Sequence, residues 1–359
     1  MASKRIRWSG VASCTLALVA CGESTGQDAG PDTDSVGVTD SGGATNPAVT
    51  SGPSTAGTPG TESGADTDSG PDSDSTTDGA GTDSDGSTDT GGGGGPPPIR
   101  PSAGCGRAGA ETGSLPGQTT NAAGTDRNYD LFVPEPYDVE HPHAVIFSYH
   151  GVGGSANTNQ FRLDDFSVED GGASINVAPQ GWPDAAWDQN HFVPFSFDDS
   201  VIVFDQVVDH LAANYCIDLN RVFVVGHSNG GQMAFHLGCV RGDAIRAIVP
   251  NGGRCFSYGP GVCDPYHAAQ DQMCAGEVMV LSVMGEDDVT RHADEEATVD
   301  AYRLRHGCTE TTEAREPEPC VRYTGCADGA EVGYCRIPGL GHSIWSDGRR
   351  PVYDYMMSL

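Results

Sequence analysis

Ser228 stands between two glycines in the run Gly226-His227-Ser228-Asn229-Gly230, a G-x-S-x-G spacing that suits a serine raised on a sharp turn to attack a carbonyl carbon. A serine hydroxyl does this only when a base takes its proton and an acid orients the base. Both partners have candidates downstream, in the order Ser, acid, His. Glu286, Asp287 and Asp288 form an acidic triplet, and His342 sits in "GLGHSIW". His292 lies too close in the chain to the triplet, and His227 is constrained within the turn itself. The developing oxyanion needs two backbone N–H donors. One is expected from Asn229, directly after the serine. The other is expected from "HGVGGS", residues 150–155, with Val152 favoured and Gly153 the near alternative. Spacing alone does not select Ser228, because "GESTG" (Gly22 to Gly26) has the same form in a stretch too polar to fold.

The elements that would position these residues are read from apolar patterning. "RNYDLFVP" (127–134) alternates apolar and polar residues and predicts a strand. "AVIFSYHG" (144–151), "ASINVAPQG" (173–181), "RVFVVG" (221–226), "IRAIVPNGG" and "EVMVLSVMG" are near-continuous apolar runs, as in strands buried on both faces of a parallel sheet. Val201, Phe204, Val207, Val208 and Leu211 share one face of a predicted helix over 201–215. Further helices are expected at "GGQMAFHLGC", "ADEEATVDAYRLRHG" and "RPVYDYMMSL", and a late strand at "EVGYCRIPG". Alternating strands and helices indicate an α/β fold with a mostly parallel sheet, helices on both faces, and a site at the carboxyl ends of the strands. Ser228 then follows a buried strand and precedes a helix, and the acidic triplet and His342 each follow a strand.

The N-terminal hundred residues have a different character. Lys4, Arg5 and Arg7 precede a short apolar run from Val11 to Ala20, which reads as a signal segment over residues 1–20. Its end, Leu18-Val19-Ala20-Cys21, resembles the lipobox of bacterial lipoproteins, which implies lipid on Cys21. Residues 21–104 are mostly Gly, Ser, Thr, Asp and Pro and read as a solvated acidic tether. About 80 such residues have an r.m.s. reach of roughly 50 Å. The expected localisation is therefore extracellular, at the cell surface or envelope. Residues 105–359 suit one domain with a sizeable core.

Charge narrows the partners. With 19 Lys and Arg against 50 Asp and Glu, the formal net charge is −31, and Lys4 is the only lysine. Nucleic acid, anionic lipid surfaces and polyanionic polysaccharides are disfavoured. Membrane contact is expected only through the anchor, and the chain is read as a monomer. Beyond Cys14 and Cys21 ten cysteines remain, an even number that reads as up to five disulfides in an exported domain. "CVRYTGCADGAEVGYC" reads as a hairpin setting Cys320 opposite Cys335, which leaves Cys308 for Cys326. No C-x-x-C pair is present, so no metal site is expected.

The runs "RNYDLFVP", "HGVGG", "APQGW" with the later "AWD", "YCIDLNRVFVVGHSNGGQMAFHLGC" and "PGLGHSIW" span nearly all of residues 105–346 in one order. Together they resemble the secreted family of feruloyl esterases, acetyl xylan esterases and polyhydroxybutyrate depolymerase-like enzymes. The resemblance implies an α/β-hydrolase fold, a Ser-Asp-His triad and no cofactor. By position it implies Ser228 as nucleophile, His342 as base and Asp288 as acid. The chain departs from that family's frequent His-Gly-x-x-Asp run followed by Val-Pro, having Met284-Gly285-Glu286-Asp287-Asp288 and then Val289-Thr290. Counting from Gly285 selects Asp288, with Asp287 open. The expected function is a tethered serine esterase releasing feruloyl or acetyl groups from plant polysaccharide such as xylan. A polyester depolymerase, a peptidase on the same fold and a non-catalytic binding lipoprotein are the alternatives. Trp182, Trp187 and Trp345 are candidates for a sugar or aryl subsite or for core packing.

Overall fold

A computed structural model describes residues 97–359, except 185–188, 193–196, 255–273, 290–291 and 328. The signal segment, Cys21, the tether as far as residue 96, Trp187, Cys255 and Cys263 lie outside the described residues. Among the described residues no helix is long and apolar enough to cross a membrane.

The chain begins with strands β1 (Gly113–Ala122), β2 (Thr125–Val133) and β3 (His143–Tyr149). Helix α1 (Asp164–Glu169), strand β4 (Ser174–Pro179) and a small separate hairpin of β5 (Trp182–Asp184) and β6 (Gln189–His191) follow. Helix α2 (Phe197–Asn214) leads into β7 (Ile217–His227), α3 (Asn229–Val240), β8 (Ala247–Asn251) and β9 (Met279–Gly285). Helix α4 (His292–Arg305), strands β10 (Thr312–Ala314), β11 (Cys320–Tyr323) and β12 (Val332–Ile337), and helix α5 (Arg349–Met357) complete it. One ten-stranded sheet runs β1-β2-β4-β3-β7-β8-β9-β12-β11-β10. Its six central strands, β4 to β12 in that order, are mutually parallel, and antiparallel pairs close both edges.

The apolar runs become the centre of the sheet because both of their faces are covered. Along β3, Val145, Phe147 and Tyr149 join a core with Phe204, Val207 and Leu211 of α2, Met233 and Phe235 of α3, and Val299 and Tyr302 of α4. The alternate residues Ala144 and Ile146 face a second core with Val352, Tyr353 and Met356 of α5. A strand apolar at nearly every position is thus the expected outcome of period-two side chains between two helical layers. At the β11–β12 hairpin Cys320 is the register partner of Cys335.

Three elements lack the patterning that would predict them. β1 reads "GSLPGQTTNA" and pairs with β2 across a register shift between Leu115 and Gln118. Its Gly and Pro are tolerated because it is an edge strand with a bulge. β10 is three exposed residues, and β5–β6 is a three-residue pair. None of these needs an apolar alternation. Disulfides join Cys105 to Cys216, Cys239 to Cys274, Cys308 to Cys326 and Cys320 to Cys335. The last two are the pairs expected from the sequence.

Candidate active site

Strand β7 ends at His227, and α3 begins at Asn229, so Ser228 is the single residue of the turn between them. It adopts φ 56° and ψ −114°, a left-handed conformation that L side chains rarely take. Such strain persists only where the surroundings enforce it. Here they do so with backbone packing. A Cβ on Gly226 would lie 2.3 Å from the Gly230 carbonyl oxygen, and a Cβ on Gly230 would lie 2.2 Å from that of Tyr149. The Ser228 N–H donates to the Asn251 carbonyl at the end of β8 (2.8 Å), and the Ser228 carbonyl accepts from Gln232 (3.0 Å). The serine side chain does not cap the helix. It points to the next strand ends.

His342 reaches Ser228 from the loop after β12. Its Nε2 lies 2.8 Å from Ser228 Oγ, and its Nδ1 lies 2.6 Å from Asp288 Oδ2. Asp288 comes from the loop after β9; its side chain is 3% exposed, and that of His342 is 30% exposed. Asp287 and Glu286 are both exposed. Of the acidic triplet, it is Asp288 that bonds to the histidine, whereas Asp287 contributes its backbone N–H to Leu340. The structure therefore brings Ser228, His342 and Asp288 together. It keeps His227 beside the site, its ring centroid 5.1 Å from that of His342. A buried carboxylate accepting a bond from one imidazole nitrogen sets the other to face the serine.

The two expected oxyanion segments also meet at the serine. Asn229 is buried, and its side chain is engaged elsewhere. Its Oδ1 accepts from the Phe192 N–H (2.5 Å), while its Nδ2 donates to the Phe192 carbonyl (2.6 Å) and to Gln232 Oε1 (3.1 Å). Its backbone N–H is the first of α3, on the positive end of the helix. The 150–155 loop lies against the serine at Gly151, where an added Cβ would be 3.4 Å from Ser228 Cβ. The Gly154 N–H donates to the Gly151 carbonyl (3.0 Å), so Val152 and Gly153 are the two central residues of a tight turn. Gly153 has φ +78°, and Val152 is 50% exposed. A glycine of positive φ at the third position is what a type II turn demands.

Several residues that hold the site were not singled out from the sequence. The Gly181 N–H donates to His150 Nε2 (2.9 Å), which leaves the ring proton on Nδ1 to donate to the Gly151 carbonyl (2.7 Å). His150 thus ties the glycine loop to the segment after β4. Gly252, with φ +58°, passes beneath the histidine, where a Cβ would lie 3.2 Å from His342 Nδ1. The glycine pair in "PNGG" was the available signal. Trp182 is half-buried beneath the Arg127 guanidinium (4.9 Å), and Trp345 is half-buried against the second core. No group of His, Cys, Asp and Glu side chains able to hold a metal occurs among the described residues.

Residues 189–298 match the model of a family described as the alpha/beta hydrolase fold. The chain is 27% identical over 250 residues to feruloyl esterase D of Neurospora crassa, covering 65% of this chain and 79% of that one. It is 30% identical over 175 residues to a probable feruloyl esterase C of Aspergillus terreus, but spans only 59% of that relative's length. Among solved structures it resembles an acetyl xylan esterase from Aspergillus awamori, with a TM-score of 0.53 at 13% identity. That match covers 67% of this chain and 98% of the other.

Proposed function

We propose, from the premise that this chain is a feruloyl and acetyl xylan esterase-like α/β-hydrolase and a carboxylic ester hydrolase, that it releases feruloyl or acetyl groups from a neutral, xylan-like polysaccharide by a serine mechanism. The observation that carries this reading is the hydrogen-bonded chain from Ser228 Oγ through His342 to Asp288, at 2.8 and 2.6 Å, on a serine held at positive φ.

In this mechanism His342 Nε2 takes the Ser228 proton as Oγ attacks the ester carbonyl carbon. Asp288 accepts from Nδ1–H and stabilises the imidazolium that forms. The tetrahedral oxyanion receives the N–H of Asn229 and one from the 152–153 turn. His342 then protonates the sugar oxygen, which leaves as an alcohol with the acyl group on Ser228. Water, deprotonated by the same nitrogen, attacks the acyl-enzyme and returns the serine. Near the site Trp182, half-buried, offers apolar surface suited to an aryl or sugar ring. The charge of −31 opposes polyanionic substrates at low salt. On this reading the chain works outside the cytoplasm, held by lipid on Cys21 through the acidic tether, and the four disulfides among the described residues suit that oxidising setting.

The test is a hydrolysis panel of methyl ferulate, acetylated xylan, hydroxybutyrate oligomers and p-nitrophenyl acetate, ranked by kcat/KM. Feruloyl or acetyl esters should lead. Hydroxybutyrate oligomers turned over about tenfold better than both would move the substrate to a polyester, because specificity is differential transition-state binding.

A further inference from the structure

Behind the acid and histidine loops lies a cavity of about 450 Å³. Its walls are α4 on one side and strands β9, β11 and β12 on the other. Met284 and Arg336, which line it, are register partners on β9 and β12. Gly285, at the head of the acid loop, immediately follows Met284, and Ile337, the last residue of β12 before the histidine loop, follows Arg336. The lining of the cavity thus reaches to one residue short of the segments that carry Asp288 and His342.

Its lining is mixed in a specific way. Tyr323 and Tyr334 lie on adjacent strands with ring centroids 5.8 Å apart, both half-buried, and form an aromatic wall. Arg336 lies 5.9 Å from the Tyr334 ring and pairs with Glu296 of α4. On that helix Ala293 and Ala297, four residues apart, leave the space open. Glu296 and Asp300, also four apart, bring carboxylates to the same cavity. Tyrosine faces attract the C–H side of a sugar ring, carboxylates accept bonds from vicinal hydroxyls, and a guanidinium donates to ring and hydroxyl oxygens. The volume lies within the range of small-molecule sites, about 300–1,000 Å³. Glu296 pairs with Arg336 and Asp300 with Arg303, so an anion would compete with those carboxylates, whereas the hydroxyls of a neutral sugar can bond to the outward oxygens and N–H groups of the same pairs.

We propose that this cavity is a second, non-catalytic carbohydrate subsite that holds an unesterified sugar of the same polysaccharide beside the catalytic cleft. The proposal rests on the polysaccharide reading above. Occupancy would raise the local concentration of the chain at Ser228, as any second point of attachment does.

The probe is unesterified xylohexaose, measured by calorimetry against the full chain, Tyr334→Ala and Ala297→Trp. The first variant removes half of the aromatic wall, and the second fills the space without removing a polar group. Near-ultraviolet circular dichroism and thermal midpoint report folding of each. Wild type should bind saturably in the millimolar range or tighter, and both folded variants should bind at least about tenfold more weakly. No saturable binding by wild type, or undiminished binding by a folded Ala297→Trp, would overturn the proposal. Binding of ferulic acid that Ala297→Trp abolishes, with no saturable binding of the sugar, would also overturn it. Ester hydrolysis by wild type is measured separately on methyl ferulate, so the catalytic reading and the subsite can fail independently.

Discussion

The backbone N–H of Asp287 donates to the carbonyl oxygen of Leu340 at 2.9 Å, joining the acid loop directly to the histidine loop. Beside it Gly285 leaves no room for a side chain, since a Cβ there would lie 2.2 Å from the same Leu340 oxygen. Asp287 therefore serves through its backbone with its side chain exposed, and the next residue turns its carboxylate inward to His342. Asp288→Asn should lower kcat by about 10⁴-fold, as loss of the orienting carboxylate does in serine triads. Asp287→Asn keeps the N–H and should stay within about threefold of wild type. Steady-state kinetics on one soluble ester would rank the two, and the reverse ranking would move the acid by one residue.

Glycine substitutions separate positions that need the missing Cβ from those that do not. Gly226→Ala would drive a methyl group into the Gly230 carbonyl and should abolish activity or folding. At Gly341, next to the histidine, an added Cβ meets nothing within 4 Å. Gly341→Ala should retain kcat within about threefold, surface changes of this kind costing little. Equal damage at both positions would contradict the backbone packing described for the serine turn.

The second oxyanion donor can be tested without disturbing the turn. Val152 occupies the second position of the 151–154 turn, where proline is favoured, and proline has no N–H. Val152→Pro should lower kcat by roughly 10²–10³-fold with little change in thermal midpoint if its N–H is the donor. Retention of wild-type kcat would transfer that role to Gly153.

Stability should fall in acid through a buried imidazole far from the chemistry. His306 is 1% exposed, and burial, helped by the neighbouring Arg305 charge, pushes it down to about 4. An unfolded chain protonates the same ring near 6.5. Between these values the unfolded state binds the extra proton, so this stability is present above about pH 6.5 and is lost progressively as pH falls toward 4. Denaturant midpoints across that window should fall for wild type and fall less steeply for His306→Gln. An unchanged slope would assign the acid sensitivity to other groups.

Much of this molecule is legible in its sequence because its central strands are covered on both faces. Runs such as "AVIFSYH" and "RVFVVG" can be satisfied only inside a two-layered sheet, and their order places Ser228 at a strand-to-helix turn. The elements that were not legible are those that bury little. Bulged β1 and exposed β10 are held by pairing with neighbours that the chain brings together from elsewhere. The choice between Asp287 and Asp288 likewise depends on a backbone bond to a residue more than fifty positions away. The clasp between Asn229 and Phe192 leaves no local signal at all.

The most direct measurement is kcat for methyl ferulate with wild type, Ser228→Ala, His342→Ala and the double variant. Each single change should remove activity by several orders of magnitude with the fold intact. The double should be little worse than either single, because members of a triad act as one unit. A folded Ser228→Ala retaining more than about a tenth of wild-type kcat would contradict the assignment of Ser228 as nucleophile.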